Sequence, residues 1–402
     1  MSKKYGLPVM AVVCALGRDK REVWTNWLAG KRDTSVLSDA YIPDHTVRVG
    51  AVKGPLPSCD KRWPYLVSRN IQLLEAAFQQ IEQDVSLLLT QYQPSRVAIV
   101  LGTSTSGVAE GEHAIAEQEN SAFPESFHYA QQEMGSPAVY LKKKLGLTGP
   151  AYCISTACSS SAKVFNSAKN LLASGMADAV ILGGVDSLCK LTLNGFFALE
   201  SVASDEAQPF GEHRDGINIG EGAALFIMTN EAAEVNLLGV GESSDAYHMS
   251  APHPEGLGAE AAICAALEQA CLEPSQVAYI NLHGTATPLN DKMEALAVER
   301  VFGDNTLCSS TKHQTGHTLG AAGAIENALC WLLLHPAFNC NAEIPGMNAD
   351  YALDPELPNI NLLFGPRAYP YHHKLGSTLS HSFAFGGSNA VVCLGHKDVF
   401  ND

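Results

Sequence analysis

The sequence predicts an α/β fold made of two related lobes, and three observations lead to that prediction. Short apolar runs alternate with helical segments along the chain, as expected for helices packed on layered sheets. A unit of helix, Pro-Ser-x-Val-Ala, apolar strand and Gly-Thr-x-Thr occurs at residues 66–105 and again at residues 259–287. Convergent turn chemistry is the alternative explanation for this repeat. We place the join near residue 235, after Glu231-Ala-Ala-Glu234, and predict domains at 1–235 and 236–402. No low-complexity linker marks this join, so we expect the lobes to share one rigid interface.

Composition narrows the class of protein. The chain has 402 residues, of which 46% are apolar, enough for a sizeable core. Its net charge of −16 argues against nucleic-acid binding. The 11 cysteines show no paired C-x-x-C spacing, which favours a reducing, cytoplasmic compartment over a zinc site or a disulfide framework.

The N-terminal segment superficially resembles a signal peptide, because two lysines precede an apolar run. That run is short, contains Pro8 and lacks a clear small-x-small cleavage site. We therefore predict a buried first strand at residues 9–16. No stretch of the sequence is long and apolar enough to span a bilayer.

Further elements follow from apolar spacing. A helix is predicted at residues 21–28, ending at Gly30, and a single long helix at roughly residues 66–89, where apolar positions recur at three and four. Apolar runs of strand length complete the set, at residues 97–101, 179–184, 223–228, 360–364 and 390–394.

The stretch at residues 151–165 carries the strongest chemical signal. A short strand-like run is followed by small residues and then by a helical pattern, which places Cys158 at a strand-to-helix turn. Free backbone N–H groups and the helix dipole at such a turn favour the thiolate. A buried structural cysteine is the alternative, since a cysteine is often a small hydrophobe. The turn geometry favours a nucleophile.

Two histidines lie in Gly- and Thr-rich turns of the second lobe. His283 precedes Gly-Thr-Ala-Thr-Pro, and His317 precedes Thr-Leu-Gly-Ala-Ala-Gly. Adjacent glycines let the backbone come close to a ligand. Lys312 and Glu326 flank the second histidine, either as solvated side chains or as an ion pair behind the site. The last signal is an aromatic and glycine-rich loop at residues 382–389, which is either an ordinary hairpin loop or a mobile loop whose N–H faces a reacting oxygen.

With these motifs the chain resembles the β-ketoacyl-acyl carrier protein synthases of the elongating class, from Val9 to about Gly395. The motifs that carry the resemblance, in this order, are Thr156-Ala-Cys158-Ser-Ser, His283-Gly-Thr-Ala-Thr-Pro, Lys312-x4-His317-x-x-Gly-Ala-Ala-Gly and Phe383-Ala-Phe385-Gly-Gly-Ser-Asn. The resemblance implies a duplicated thiolase-like fold in an α-β-α-β-α layered arrangement. Two histidines, rather than one histidine and one asparagine, separate the chain from the initiating class.

The resemblance also implies the reaction, a decarboxylative Claisen condensation. Cys158 would take the acyl group from a carrier-protein thioester, with its own N–H and that of Phe385 as the oxyanion hole. His283 and His317 would hold the malonyl thioester carbonyl while CO2 leaves. The carbanion would then attack the acyl group on Cys158 to give a β-ketoacyl carrier protein.

Other positions match the supporting parts of such a site. Lys312 and Glu326 would support it as a pair, and Thr285 and Thr287 would bind the pantetheine arm. The remaining matches concern the acyl pocket and its gate. They are Phe383 and Phe385 at the gate, Asp245 in a second mobile loop, and Val108, which would set pocket depth across a dimer interface.

The implied partners are the acyl carrier protein and a second ketosynthase-like chain, in a homodimer or a heterodimer. Substrates would arrive on phosphopantetheine, with no free cofactor and no metal. Basic residues that could dock the acidic carrier protein fall into two clusters, Lys61, Arg62 and Arg69 in the first and Lys142 to Lys144 in the second.

Some positions depart from the family pattern. Ala384 occupies a gate position that is commonly Gly, and Gly211 replaces the usual Asp after Pro-Phe. These departures suggest a specialised synthase, for example in polyene or polyketide-type assembly. A non-catalytic chain-length partner and a malonyl-carrier decarboxylase are the competing functions, but a chain-length partner typically lacks the cysteine.

Overall fold

The computed structural model describes residues 5–118, 122–347, 350–368 and 375–399, and it confirms the predicted α/β fold. The strands within these residues are β1 (Tyr5–Val13), β2 (Val36–Ser38), β3 (Val47–Gly50), β4 (Val97–Gly102), β5 (Ala151–Ile154), β6 (Ala179–Asp186), β7 (Ile219–Gly220), β8 (Gly222–Thr229), β9 (Val235–Ser244), β10 (Tyr279–Asn281), β11 (Leu307–Ser309), β12 (Glu343–Pro345), β13 (Pro366–Ala368), β14 (Ser377–Phe383) and β15 (Ser388–His396).

The α-helices lie between these strands. They are α1 (Lys20–Leu28), α2 (Arg69–Phe78), α3 (Glu82–Gln91), α4 (Val108–Ala116), α5 (Ser136–Leu145), α6 (Ser160–Ala173), α7 (Lys190–Ala198), α8 (Leu257–Ala270), α9 (Pro288–Phe302), α10 (Lys312–Thr315) and α11 (Ala322–Leu334). Within the described ranges, none of the helices has the length and apolarity needed to cross a membrane.

The strand order shows that the fold is duplicated. The first half of the main sheet runs β5-β4-β6-β8-β1, and the second half runs β11-β10-β14-β15-β9. If the five strands of each half are numbered by their order along the chain, their order across the sheet is third, second, fourth, fifth, first in both halves. The directions agree as well, because β4 and β10 each lie parallel to both neighbours while β8 and β15 are antiparallel to theirs. The strands that follow the two Pro-Ser-x-Val-Ala segments therefore occupy equivalent positions.

Two helices form the middle layer between the half-sheets. Helices α6 and α11 contact each other, and each contacts strands of both halves. All thirteen residues of α11 are buried, as expected for a helix that is apolar nearly all round. The helices approach closely at Gly323, where a Cβ would lie 2.8 Å from the Cβ of Ala162. The outer faces carry α2 and α5 on the first half and α8 on the second, which gives the predicted layered arrangement.

The half-sheets join at one corner, where Tyr5 pairs with Leu237 and Gly6 with Asn236. Burying large side chains such as Phe165 and Phe226 in the middle layer stabilises it by about 1.5–3 kcal/mol each. The domain boundary near residue 235 stays a prediction.

Two element predictions were wrong. The long helix is broken into α2 and α3, because the N–H groups of Gln80 and Ile81 bond carbonyls three residues back instead of four. At this break the Gln80 side chain donates to the Val12 carbonyl of β1 at 2.9 Å. The run at residues 360–364 forms only single bridges, through Leu362 and Phe364, rather than a strand.

Candidate active site

Cys158 lies at a sharp turn between β5 and α6. Ala157, the residue before it, has a φ of 52°, the left-handed region that non-glycine residues rarely adopt. The Ala157 carbonyl accepts a hydrogen bond from the Ser160 hydroxyl at 2.6 Å and from the Ser160 N–H at 3.1 Å. These bonds hold the turn, and they leave the Cys158 side chain at the edge of a cavity with 4% of its surface exposed.

The two predicted histidines belong to the second half of the chain, and both lie close to the Cys158 sulfur. His283 follows β10, and His317 lies between α10 and α11. The His317 Nε2 is 3.0 Å from the Cys158 Sγ, and the two imidazole rings are nearly perpendicular with centroids 5.4 Å apart. One donor atom from each of the three residues falls within a mutual distance of 4.8 Å. The fold therefore assembles three residues that are far apart in sequence.

Burial controls the charge of the cysteine, and the expected thiolate is wrong for the resting protein. Burial raises the pKa of the Cys158 thiol to about 11. Lys312 and the N–H groups of Phe385 and Cys158 act in the opposite direction but do not outweigh burial. The turn supplies the N–H groups that the sequence indicated, but enclosure by the second half of the chain keeps the proton on sulfur.

Both histidines are held neutral. Burial is the main cause that lowers the pKa of His283 and His317 well below the usual range, and the nearby Lys312 ammonium lowers both further. A neutral ring can accept the thiol proton at one nitrogen and donate a hydrogen bond from the other. The pair can therefore move a proton and also polarise a carbonyl.

Lys312 and Glu326 form an ion pair behind the histidines. Both side chains are buried, and the Lys312 Nζ donates to Oε1 of Glu326. Burial raises the pKa of Glu326 to about 7, although Lys312 opposes that rise. Of the two alternatives that the sequence left open, the solvated lysine is therefore excluded. Neither residue is among those that line the main cavity.

The aromatic loop after β14 closes over the sulfur. The Phe385 ring lies 5.4 Å from that of Phe196 on α7, and the Phe385 N–H reaches the Cys158 Sγ. The loop is tied to the segment after β9, because the Asp245 N–H donates to the Gly387 carbonyl at 2.8 Å and the Asn389 amide donates to Asp245 at 2.7 Å. The two segments predicted as gate and second loop are thus in direct contact.

Most of the predicted site residues line a single cavity of about 250 Å³. The Thr285 and Thr287 hydroxyls lie 2.9 Å apart in its wall. Val108, half-buried at the start of α4, is not among the described residues that line this cavity. The predicted residues that do line it are Cys158, Asp245, His283, Thr285, Thr287, His317, Phe383 and Phe385.

Sequence reasoning missed the groups that position His283. The Glu294 carboxylate, fully buried on α9, accepts the N–H of His283 and the N–H of Gly284, both at 2.7 Å. It also lies 3.0 Å from Nδ1 of the buried His381. A glutamate within a helical pattern is normally predicted to be exposed, so the role of Glu294 in holding the His283 backbone is visible only in the fold. The apolar lining by Phe196 and Ile217 was also missed.

The raised pKa of Cys158 gives a testable pH dependence. With a pKa of about 11, about 10⁻⁴ of the thiol is ionised at neutral pH. We expect the rate of alkylation by iodoacetamide to rise by about tenfold per pH unit between about pH 7 and about pH 9. Intact-protein mass spectrometry over that range measures it. A plateau at neutral pH would contradict the assignment of a protonated thiol.

Comparisons with known proteins place this site in a family. The profile of the N-terminal domain of β-ketoacyl synthases matches residues 9–233, and that of the C-terminal domain matches residues 234–339. The chain is 30% identical over 410 residues to the 3-oxoacyl-[acyl-carrier-protein] synthase 2 of Coxiella burnetii, covering 96% of each chain. It is 28% identical over 413 residues to Nodulation protein E of Rhizobium meliloti, covering 98% of this chain and 99% of the relative.

Solved structures agree. A chain in the complex of the ketosynthase ApeO with its chain length factor ApeC, from Xenorhabdus doucetiae, superposes with a TM-score of 0.92. The two chains are 40% identical, and the match covers 98% of each. The fold, the motifs and the two family profiles lead to one conclusion: this chain belongs to the β-ketoacyl synthase family, as the sequence motifs predicted.

Proposed function

We propose that the chain elongates an acyl group held on Cys158 by decarboxylative Claisen condensation with malonyl-acyl carrier protein. The observation that carries the proposal is the contact of 3.0 Å between the His317 Nε2 and the Cys158 Sγ, next to a second neutral histidine. The family assignment and the relative named 3-oxoacyl-[acyl-carrier-protein] synthase 2 support the same reaction class.

The first half-reaction transfers the acyl group to the cysteine. The His317 Nε2 accepts the thiol proton as the sulfur attacks the thioester carbonyl, which offsets the high pKa of Cys158. Negative charge then develops on the carbonyl oxygen, and the N–H groups of Cys158 and Phe385 stabilise it. The carrier thiolate leaves with the proton from His317, and acyl-Cys158 remains.

The second half-reaction forms the carbon–carbon bond. The His283 and His317 rings donate hydrogen bonds to the malonyl thioester carbonyl, so that loss of CO2 leaves an enolate that the two N–H groups stabilise. Its carbon attacks the acyl carbonyl, the bond to Cys158 Sγ breaks, and the β-ketoacyl carrier protein leaves. The released Cys158 thiolate takes a proton from solvent, which restores the resting thiol. Lys312 contributes through the histidines, because its ammonium lowers the pKa of both rings, and Glu326 holds Lys312 through their ion pair.

The cavity wall supplies the substrate contacts. The Thr285 and Thr287 hydroxyls lie where they can bond the amides of the pantetheine arm on its way to Cys158. Substrates arrive covalently attached to the carrier, so the proposed reaction uses no free cofactor and no metal. Both of these expected absences stay predictions.

One basic surface is proposed to dock the carrier protein. The two clusters considered in the sequence approach each other, because Trp63 meets Tyr140 of α5 edge to face with centroids 6.1 Å apart. The Lys143 Nζ also lies 5.9 Å from the Tyr65 ring, in the segment that follows Lys61 and Arg62. These three cations are exposed.

Other basic residues of the two clusters are engaged in contacts within the chain. Arg69 donates to the buried Glu221 at 2.7 Å, and Lys144 pairs with the buried Glu75 at 2.6 Å. Lys142 donates to the Gly149 carbonyl at 3.0 Å and is half-buried. Arg62 pairs with Asp60 at 2.6 Å, but its side chain stays 67% exposed, so Lys61, Arg62 and Lys143 form the proposed docking surface.

A second ketosynthase-like chain is proposed as a partner, in a homodimer or a heterodimer. Strand β5 is an edge of the main sheet, and its Tyr152 is 36% exposed beside half-buried neighbours. An open edge of this kind favours pairing with another strand. The ApeO structure, which contains a chain length factor, supports a heterodimer as one of the two outcomes.

The competing function, a non-catalytic chain-length partner, is disfavoured by the assembled group of Cys158, His283 and His317. We also propose a cytoplasmic location, which is supported by the eleven cysteines, all of them free thiols.

Product analysis tests the proposed function. The protein is incubated with an acyl carrier protein bearing a short acyl group and with malonyl carrier protein, and the carrier species are identified by mass spectrometry. We expect a β-ketoacyl carrier protein two carbons longer. Acetyl carrier protein alone would identify a decarboxylase, and unchanged substrates would support the non-catalytic alternative.

Val108→Phe is expected to shorten the longest acyl chain accepted, because the added ring would fill the pocket that a partner subunit completes. The distribution of product lengths from a mixed acyl-carrier pool measures this effect. Val108→Ala, which removes volume at the same position, is the matched control and should not shorten the products. An unchanged distribution for Val108→Phe would show that this position does not face a pocket.

A further inference from the structure

The loop that follows β4 surrounds a buried carboxylate that has no part in the proposed mechanism. Asp186, at the end of β6, is fully buried. Its Oδ1 accepts hydrogen bonds from the Thr103 hydroxyl at 2.7 Å and from the N–H groups of Ser104 and Thr105, both at 2.8 Å. The Thr105 hydroxyl adds a fourth bond at 2.8 Å. A buried carboxylate with so many donors fixes the loop that supplies them.

Ser104 extends this loop to the cysteine turn. Its N–H is bonded to Asp186, and its hydroxyl donates to the carbonyl oxygen of Ala157 at 3.1 Å. Ala157 is the residue with the left-handed backbone, at a φ of 52°. A backbone in this region persists only where its surroundings hold it. Ser104 therefore bonds to the strained residue that precedes Cys158.

The bonded carbonyl and the N–H of Cys158 belong to one peptide group. A peptide bond is planar, so fixing the direction of the Ala157 C=O also fixes the direction of the Cys158 N–H. A hydrogen bond accepted by the carbonyl also polarises the group and strengthens its N–H as a donor. That N–H faces Sγ and is one of the two donors assigned to the oxyanion hole.

The same loop meets the segment that carries the second histidine. Gly320 lies three residues after His317, and a Cβ placed on it would come 2.6 Å from the Ser104 hydroxyl oxygen and 2.7 Å from Oδ2 of Asp186. A Cβ cannot be accommodated at such distances, so this glycine allows the histidine segment to lie directly on Ser104. The loop after β4 thus contacts both sides of the reacting centre.

We propose that Ser104, oriented by Asp186, is a positioning residue that aims the Ala157–Cys158 peptide so that the Cys158 N–H serves the oxyanion hole. The inference rests on the proposed role of that N–H. Ser104 is not among the described residues that line the cavity, so it would act through the peptide group and not on the substrate. In the sequence it is one of several small residues in a turn, and its neighbour Ser106 is of the same type.

Two reactions of the same cysteine test this inference. Acylation by an acyl carrier protein passes through an oxyanion, whereas alkylation by iodoacetamide does not. In Ser104→Ala the maximal rate of acylation is expected to fall by about fivefold to about twentyfold, less than the loss of a whole oxyanion donor, because Ser160 still bonds the Ala157 carbonyl. Half-saturation by the acyl carrier protein should change by less than about twofold. The alkylation rate should fall by much less than the acylation rate, because the Cys158 N–H is only one of several groups that act on the thiol.

Ser106→Ala is the matched control. It removes a buried hydroxyl from the same loop, one that donates to the Glu133 carbonyl at 2.8 Å instead of to the cysteine turn. Acylation by this variant should equal that of the wild type. Thermal unfolding of both variants reports on the fold. If Ser104→Ala does not fold, Ser104→Gly removes the same hydroxyl and takes its place.

Selective loss of acylation in the Ser104 variant supports the inference. It is overturned by unchanged acylation, by an equal loss in Ser106→Ala, or by a parallel loss of alkylation, which would mean that Ser104 acts on the sulfur itself. A wild-type protein that cannot be acylated would instead contradict the proposed function, and this inference with it.

Discussion

Cys158→Ala is expected to reduce β-ketoacyl product formation by at least about 10⁴-fold, because the proposed mechanism holds the acyl chain on Cys158 between the half-reactions. The substitution removes one sulfur atom from a buried site, so the midpoint of thermal unfolding should move by no more than about 2–4 °C. Product formation is measured by mass spectrometry and folding by circular dichroism.

The same variant separates the two half-reactions. His283 and His317 remain in place, so Cys158→Ala should still release CO2 from malonyl carrier protein. Retained condensation would show that another residue carries the acyl group. Loss of the folded state would show that Cys158 has a structural role.

His283→Ala is expected to reduce condensation by about 10²–10³-fold, the usual cost of removing one donor from a developing oxyanion. Acylation of Cys158 should change far less, because His317, not His283, lies 3.0 Å from the sulfur. Single-turnover measurements of the acyl-enzyme and of CO2 release distinguish the two steps.

His283→Asn is the matched variant for this prediction. Its side-chain amide can donate a hydrogen bond to the malonyl carbonyl, so it should recover part of the lost condensation. A variant His283→Ala that condenses normally, or one that loses acylation and condensation equally, would contradict the assigned role.

Local signals were sufficient to identify the reacting residues. Cys158, His283 and His317 each follow a strand or a short helix and stand beside small residues, and that pattern can be read without a fold. The duplication of the lobe could be predicted for a similar reason, because the two Pro-Ser-x-Val-Ala segments precede strands that occupy equivalent positions. In these cases the information lies within about a dozen neighbouring residues.

Other properties of the site depend on long-range contacts and could not be predicted from local sequence. The thiol of Cys158 stays protonated because the second half of the chain buries it, which no pattern at the turn reveals. Glu294 supports His283 from inside a helix whose sequence resembles that of an exposed one. Arg69 lies in a cluster that suggested carrier docking, yet its guanidinium is bound to Glu221.

Local preference also failed within the predicted long helix. The apolar spacing over residues 66–89 favours one helix, but the backbone bonds of Gln80 and Ile81 tighten to three-residue spacing between α2 and α3, where the Gln80 side chain contacts the Val12 carbonyl. The role predicted for Val108 cannot be judged from one chain. That role needs a second chain, and in the single chain Val108 is not among the described residues that line the cavity.

The most direct test of the central claim is a chase of the acyl-enzyme. The wild-type protein is loaded with an acyl carrier protein, the adduct is located by peptide mass spectrometry, and malonyl carrier protein is then added. We expect an acyl group on Cys158 that disappears at the rate at which the β-ketoacyl carrier protein forms. An adduct on another residue, or an acyl-Cys158 that persists while product accumulates, would contradict it.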